Sequence, residues 1–309
     1  MTDTAAAGAG RTLEVVSVSI GSSTRDTDQL VEVMGRTVHI ARRGTNGDLR
    51  EARAAIAKLD GTVDAIGLGG IDLFLQVRGR RYYLRDAVRL ARSARTTPVV
   101  CGAGLKDSLE RKAVADLDAV RPWSGRKVLL VSGTDRFGMA EALYDSGPEV
   151  ICGDLIFSLG VDVPLRSSSA LVRAARLLLP IISKVPFTWL YPTGSKQDRQ
   201  PTPSRFDRYY DWAEVIAGDW HLIRKHAPAS LAGKVILTNT TTADDVALLR
   251  DRGAARLITT TPRFGDRSIG TNLLEAAFVA IDGSGTELSR SRYDELVARA
   301  DLRPTVLDL

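Results

Sequence analysis

Cysteine, histidine and methionine are scarce in this chain, with two, three and three copies in 309 residues, and aromatic residues make up only 6%. Two thiols supply no disulfide framework, so Cys101 and Cys152, each at the end of an expected strand, read as buried packing residues of a reducing cytoplasm. His39, His221 and His226 share no ligand spacing with cysteine or acid partners, which leaves no metal site in the pattern. No stretch is apolar for long enough to cross a bilayer. The most apolar region, 170–191, is interrupted by Arg173, Arg176, Pro180, Lys184 and Pro186. The first ten residues carry no basic start or apolar run and read as a loose tail rather than a signal peptide. A Gly-x-Ser-x-Gly elbow is missing, which removes the common serine-hydrolase reading. A large excess of one sign of charge is missing too. With 42 Lys+Arg against 37 Asp+Glu, the formal net charge of +5 is short of a nucleic-acid footprint.

What is present is an α/β pattern. Residues 126–154 run strand, glycine turn, helix, strand: Val128–Val131 is an uninterrupted apolar run, Gly133 and Gly138 mark the turn, and Gly147 ends the helix. Val150–Cys152 starts the next strand and Asp154 closes it. This is half of a dinucleotide-binding unit, with a helix N-terminus for pyrophosphate and an acid about 20 residues on for ribose hydroxyls. Gly133, Thr134, Arg136, Gly138 and Asp154 are therefore the candidate cofactor contacts, joined by Thr240 at a later strand end. Asp135 or Arg136 stands where the fingerprint has its second glycine. An acid at position 154 favours NAD over NADP, and S-adenosylmethionine offers a ribose of the same kind.

Upstream, 13–20 reads as a strand, 30–41 as a hairpin turning at Gly35, and Asp48 as the cap of a helix. A strand follows over 63–68, then a second hairpin around Gly79 and a strand at 98–101. The expected fold is a Rossmann-like doubly wound parallel sheet over residues 119–309, preceded by a mixed α/β lobe over 11–118. Weak internal echoes, such as Glu149–Asp154 against Glu214–Asp219, repeat buried strands with Gly-Asp ends. Polar residues at strand ends converge on one cleft if the sheets are parallel: Ser22, Ser23, Asp72, Lys106, Asp107, Asp135, Asp154, Asp219, 239–242 and 259–261. The proline-rich stretch 186–207, with Tyr191–Lys196 inside it, reads as a long binding loop or a linker.

The strings VSVSIGSS, RRGTNGD, VDAIGLGGID, GLKDSLER, SGTDRFGMAEAL, WLYPTG, LTNTTT and LITTTPR resemble those of bacterial proteins filed as quinate 5-dehydrogenases, in the shikimate/quinate dehydrogenase-like group. The resemblance runs over most of the chain. It implies a substrate lobe, a nicotinamide-binding lobe and a lysine with an aspartate partner that polarise the reacting hydroxyl. Lys106 best matches that lysine, with Lys112 as a rival, and Asp107 is its nearest acid. The Asn-Thr-Asp segment that carries the aspartate in those enzymes has no match between Lys106 and the glycine turn. The leading expectation is a nicotinamide-dependent oxidoreductase acting on a small anionic polyhydroxylated acid such as quinate or shikimate, with a partly desolvated Lys106 as base. The alternatives are an S-adenosylmethionine-dependent methyltransferase and a non-catalytic ligand-binding protein. No nucleic-acid or membrane partner is expected, and a homo-oligomer is left open.

Overall fold

The computed structural model describes residues 11–186, 204–261, 263–264 and 267–309. Short runs of Val, Ile and Leu without polar alternation become strands buried on both faces, and most are followed by a helix with one apolar side. The first half contains β1 (Leu13–Ser19), β2 (Thr27–Val33), β3 (Arg36–Gly44), α1 (Leu49–Leu59), β4 (Ala65–Gly69), β5 (Phe74–Val77), β6 (Arg80–Tyr83), α2 (Arg85–Ala91), β7 (Val99–Val100) and α3 (Ala103–Val120). Then come β8 (Lys127–Leu130), α4 (Phe137–Ser146), β9 (Glu149–Cys152), α5 (Ser168–Ile182), α6 (Asp207–Trp212), β10 (Val215–Ala217), α7 (Trp220–His226) and β11 (Val235–Thr238). The chain finishes with α8 (Ala243–Asp251), β12 (Arg256–Thr259), β13 (Arg263–Phe264), β14 (Arg267–Ser268), α9 (Thr271–Asp282), α10 (Arg290–Arg299) and β15 (Thr305–Asp308).

The first sheet has the order β2-β3-β1-β4-β7 and is parallel except for β2, which pairs with β3 as the expected hairpin around Gly35. Asp48 caps α1 through the amides of Arg50 and Glu51, as expected. β5 and β6 form the second hairpin, around Gly79. The second sheet has the order β15-β12-β11-β10-β8-β9 and is parallel except for β15. Helices cover both of its faces. The fold is thus an α/β pair of lobes whose second sheet is doubly wound. Its strand order is the flavodoxin-like one rather than the six-stranded dinucleotide order, and the switch point lies between β8 and β10. The stretch 187–203 lies outside the described residues, so the expected binding loop with Tyr191–Lys196 does too. No helix among the described residues is long and apolar enough to cross a membrane.

Packing departs from the expected division at residues 118 and 119. α1 and α2 cover one face of the first sheet through Ala52, Ile56, Ala87 and Leu90. The other face holds Leu13, Val15, Val38 and Ile40, and its cover comes from the far end of the chain: Leu273, Leu274, Phe278 and Leu296 share that core. A sheet face left apolar must be buried, and α9 and α10 return to bury it. α3 belongs to both lobes, with Leu105 and Leu109 in the first core and Val114 in the core of the second sheet. The chain crosses along α3, returns between β12 and α9, and crosses again between α10 and β15.

Glu275 of α9 fixes this return. Its carboxylate is 1% exposed and accepts from the Gly102 and Leu105 amides, the latter at 3.0 Å, at the start of α3. Burial and the nearby Glu287 push it up to about 7, against the amides and Tyr293. Beside it Asn272 donates to Ser17 Oγ at 2.7 Å, and a Cβ at Gly67 or Gly102 would meet the Asn272 backbone at 2.9 Å. Glu275→Ala leaves two buried amides unpaired and is expected to cost about 2–4 kcal/mol. A urea unfolding midpoint equal to that of the parent chain would show that Glu275 does not anchor α3.

Candidate functional site

Residues that follow strand ends in both lobes meet in one buried polar cluster. Lys106, in the first turn of α3, sits between Asp72, past the end of β4, and Asp135, in the turn after β8. Its Nζ is 3.2 Å from Asp72 Oδ1 and 3.3 Å from Asp135 Oδ1. One turn along the same face of α3, Glu110 accepts from Arg136, whose Nη2 donates to Asp219 Oδ2 at 3.0 Å. Arg136 Nε lies 3.4 Å from Asp135. Arg136 and Glu110 are 2% and 1% exposed, so this ion pair is fully inside the molecule. At the rim Arg25 Nη1 is 3.3 Å from His221 Nε2, a second contact between the lobes. Asn239 donates to Asp219 at 3.3 Å, and Thr240 and Thr261 bring their hydroxyls to 3.4 Å of each other.

Burial opposes every charge here, and the neighbours decide which survive. Burial would lower Lys106, but Asp135 and Asp72 outweigh it and hold the ammonium above the usual lysine range. Burial would lower Arg136 too, and Glu110, Asp135 and Asp219 reverse it. Burial pushes Asp72 up to about 7, with Lys106 pulling down and Asp135 adding to the rise. Asp135 would also rise on burial, but Lys106 and Arg136 keep it below the usual carboxylate range. Glu110 is raised by burial against the pull of Arg136 and Lys106, and its Oε2 has no hydrogen-bond partner. A cavity of about 30 Å³ touches Asp72, Lys106, Glu110 and Asp135. That is room for one water.

Two expectations for the catalytic pair are corrected. Lys106 does sit between the lobes, but two carboxylates keep it protonated, so it is a donor and not a ready base. Asp107 does not orient it. As the next residue on the helix it faces elsewhere and pairs with Arg111 at 3.2 Å and Arg290 at 3.4 Å. The aspartates that hold Lys106 are Asp72 and Asp135.

The glycine turn is also used differently from the expectation. Asp154 Oδ2 accepts from Gly133 N at 2.9 Å, and Oδ1 accepts from Thr134 N at 2.8 Å and Thr134 Oγ1 at 2.6 Å. Both oxygens are thus occupied from inside the turn, and the residue is 7% exposed. A Cβ at Gly138 would meet Asp107 O at 2.9 Å, so this glycine lets α4 pack on α3. A Cβ at Gly133 would meet Cys152 Sγ at 2.8 Å and Leu171 Cδ2 at 2.9 Å. Arg136 is buried in its ion pairs, and Thr240 stands beyond β10 from this turn. The residues present therefore do not fit a dinucleotide at Gly133. An S-adenosylmethionine ribose would need the same acid and fares no better. Glu110 and the Arg25–His221 contact were missed. The four-residue spacing of Lys106 and Glu110 on one helix face was the available signal for the first.

Two family models match, Domain of unknown function (DUF8754) over residues 104–309 and Domain of unknown function (DUF8753) over residues 14–101. The comparison with curated proteins found no match. Similar solved structures include an ABC transporter solute-binding protein from Burkholderia multivorans, at 11% identity and a TM-score of 0.40, covering 96% of this chain and 100% of that one. The arabinose-binding protein AraP from Geobacillus stearothermophilus is 11% identical with a TM-score of 0.41, covering 96% and 97%. Shikimate dehydrogenase from Aquifex aeolicus is 12% identical with a TM-score of 0.35, covering 93% and 97%. Likeness at this level carries no functional information.

The raised Asp72 sets a pH dependence. Its folded value of about 7 lies above the ordinary carboxylate value, so between about pH 4 and 7 the folded chain holds a proton that the unfolded chain has lost. Stability from this group falls as pH rises through that window. Asp72→Asn removes the loss, so the variant should gain on the parent chain from pH 5 to pH 8 in denaturant midpoint. A constant difference across that range would mean that Asp72 does not titrate there. Asp154→Ala should lower stability by about 2–4 kcal/mol by orphaning the turn amides. An unchanged melting temperature would return Asp154 to the pool of ligand contacts.

Proposed function

The chain belongs to the DUF8754 family, whose description carries no activity, and from its geometry we propose that it binds a small uncharged polyhydroxylated molecule in the cleft between its lobes. The observation that carries this reading is the make-up of the cluster. Asp72, Glu110, Asp135 and Asp219 surround Lys106 and Arg136, and each cation is already paired. An anion entering there meets excess carboxylate, which argues against the anionic ligand expected from the sequence. Neighbouring hydroxyls suit it better, because a carboxylate accepts from two of them and Asn239 and Thr240 both donate and accept. On this reading the ligand enters past the Arg25–His221 contact at the rim, while α3 runs on through both lobes.

Acid–base chemistry on such a hydroxyl is the second reading. It is favoured by Asp72, a buried carboxyl pushed up to about 7 beside a fixed ammonium. Nicotinamide-dependent oxidation, which the resemblance implies, would further require a cofactor held away from the Gly133 turn.

A melting-temperature panel tests both readings, with neutral sugars and polyols, quinate, shikimate, NAD, NADP and S-adenosylmethionine. A neutral polyol is expected to raise the melting temperature. Asn239→Ala should then weaken its binding roughly 10-fold or more by calorimetry, the loss of one buried hydrogen-bonding group. A shift with NAD or NADP alone would overturn the binding reading in favour of the dehydrogenase.

A further inference from the structure

We propose a second site, for a small phosphate-bearing anion, in the groove at the amino ends of the second sheet, on the edge opposite the cleft. The groove has a volume of about 440 Å³, within the range of small-molecule pockets. Successive strand starts build its wall: Lys127 opens β8, Glu214 precedes β10, Lys234 precedes β11 and Arg256 opens β12. Arg121, just past α3, and Arg126, just before β8, complete it. The acids among the lining residues are Asp211 and Glu214, fewer than the basic side chains.

Part of this charge is fixed in place. Lys234 Nζ donates to the Asp211 and Ala213 carbonyls at 2.9 and 2.6 Å, and Arg256 Nε donates to Asp308 at 2.6 Å. Carbonyl partners hold an ammonium without neutralising it. Neither Arg121 nor Arg126 has a side-chain hydrogen bond or ion pair among the described residues. Burial, Arg121 and Arg256 depress the Arg126 guanidinium below its ordinary value, and Glu214 opposes this only in part. Like charges have been brought together at a partly exposed place, and a bound anion relieves that repulsion.

The number and type of cations select the ligand. Two guanidinium groups with no side-chain partner among the described residues, near a fixed ammonium, exceed what a single carboxylate needs, whereas their planar forks match the oxygens of phosphate. Trp212 borders the same groove, with the Arg166 guanidinium 5.9 Å from its ring centroid. The site is independent of the cleft reading. Its charge balance is the reverse, and its residues belong to the other end of the sheet.

The test is calorimetric titration of the whole chain with inorganic pyrophosphate, with ADP and with a single-stranded oligonucleotide, at low and at physiological salt. Pyrophosphate or ADP is expected to bind, more weakly at the higher salt. Arg121→Ala combined with Arg126→Ala should lower the affinity at least 10-fold, and Arg126→Glu should abolish binding, each with an unchanged circular-dichroism spectrum. His221→Ala, at the exposed rim of the cleft, should leave the affinity as it was, which separates this site from the cleft. Binding by neither small anion, binding kept in the double variant, equal loss in His221→Ala, or binding of the oligonucleotide alone would each overturn the proposal.

Discussion

Two cations buried among carboxylates from both lobes fix the position of everything around them. Lys106 reaches from α3 to the turn after β8, and Arg136 reaches from that turn back to α3 and on to the end of β10. A buried charge deprived of its partner costs about 3–5 kcal/mol, so the elements that carry these groups are not free to drift apart. The close approach of α4 to α3 at Gly138 follows the same line of contact. Together they make α3 a shared wall rather than a linker. On the far side of the cleft Arg25 and His221 meet at the rim.

The sequence was informative about local structure and about which residues gather, and much less so about their roles. Apolar runs located the strands, Gly35 and Gly79 located the hairpins, and the rule that ligand crevices lie at the carboxyl ends of parallel strands places Asp72, Lys106, Asp135 and Asp219 together. It could not say that α9 and α10 go back to the first sheet. A helix with an apolar face announces that it will be buried, not against what. Nor could it give the charge state of Lys106, which is settled by carboxylates 34 and 29 residues away along the chain.

Asp154 and Asp219 illustrate why the motif misled. Both follow a buried strand and a glycine, and both accept from backbone amides, Asp154 with both oxygens and Asp219 with Oδ1 while its Oδ2 takes Arg136 and Asn239. Asp154 closes the turn of the neighbouring strand through Gly133 and Thr134, and Asp219 caps α7 through His221 and Leu222. An acid that holds ribose and an acid that satisfies a turn occupy the same position in the chain. Only the direction of the carboxylate separates them. In this molecule Asp154 takes the amides that an incoming anion would otherwise find.

The return of α9 and α10 to the first sheet also has a consequence for how the chain is made. Its strands leave the ribosome first, yet the helices that cover the face with Leu13, Val15, Val38 and Ile40 begin only at residue 271. At about 5–20 residues per second that interval lasts roughly 10–30 s. Throughout it the first sheet carries an uncovered apolar face, while the strands β8 to β12 of the second sheet are synthesised in one uninterrupted stretch. The lobe whose strands are made before those of the second sheet is therefore the one that gains its full cover last.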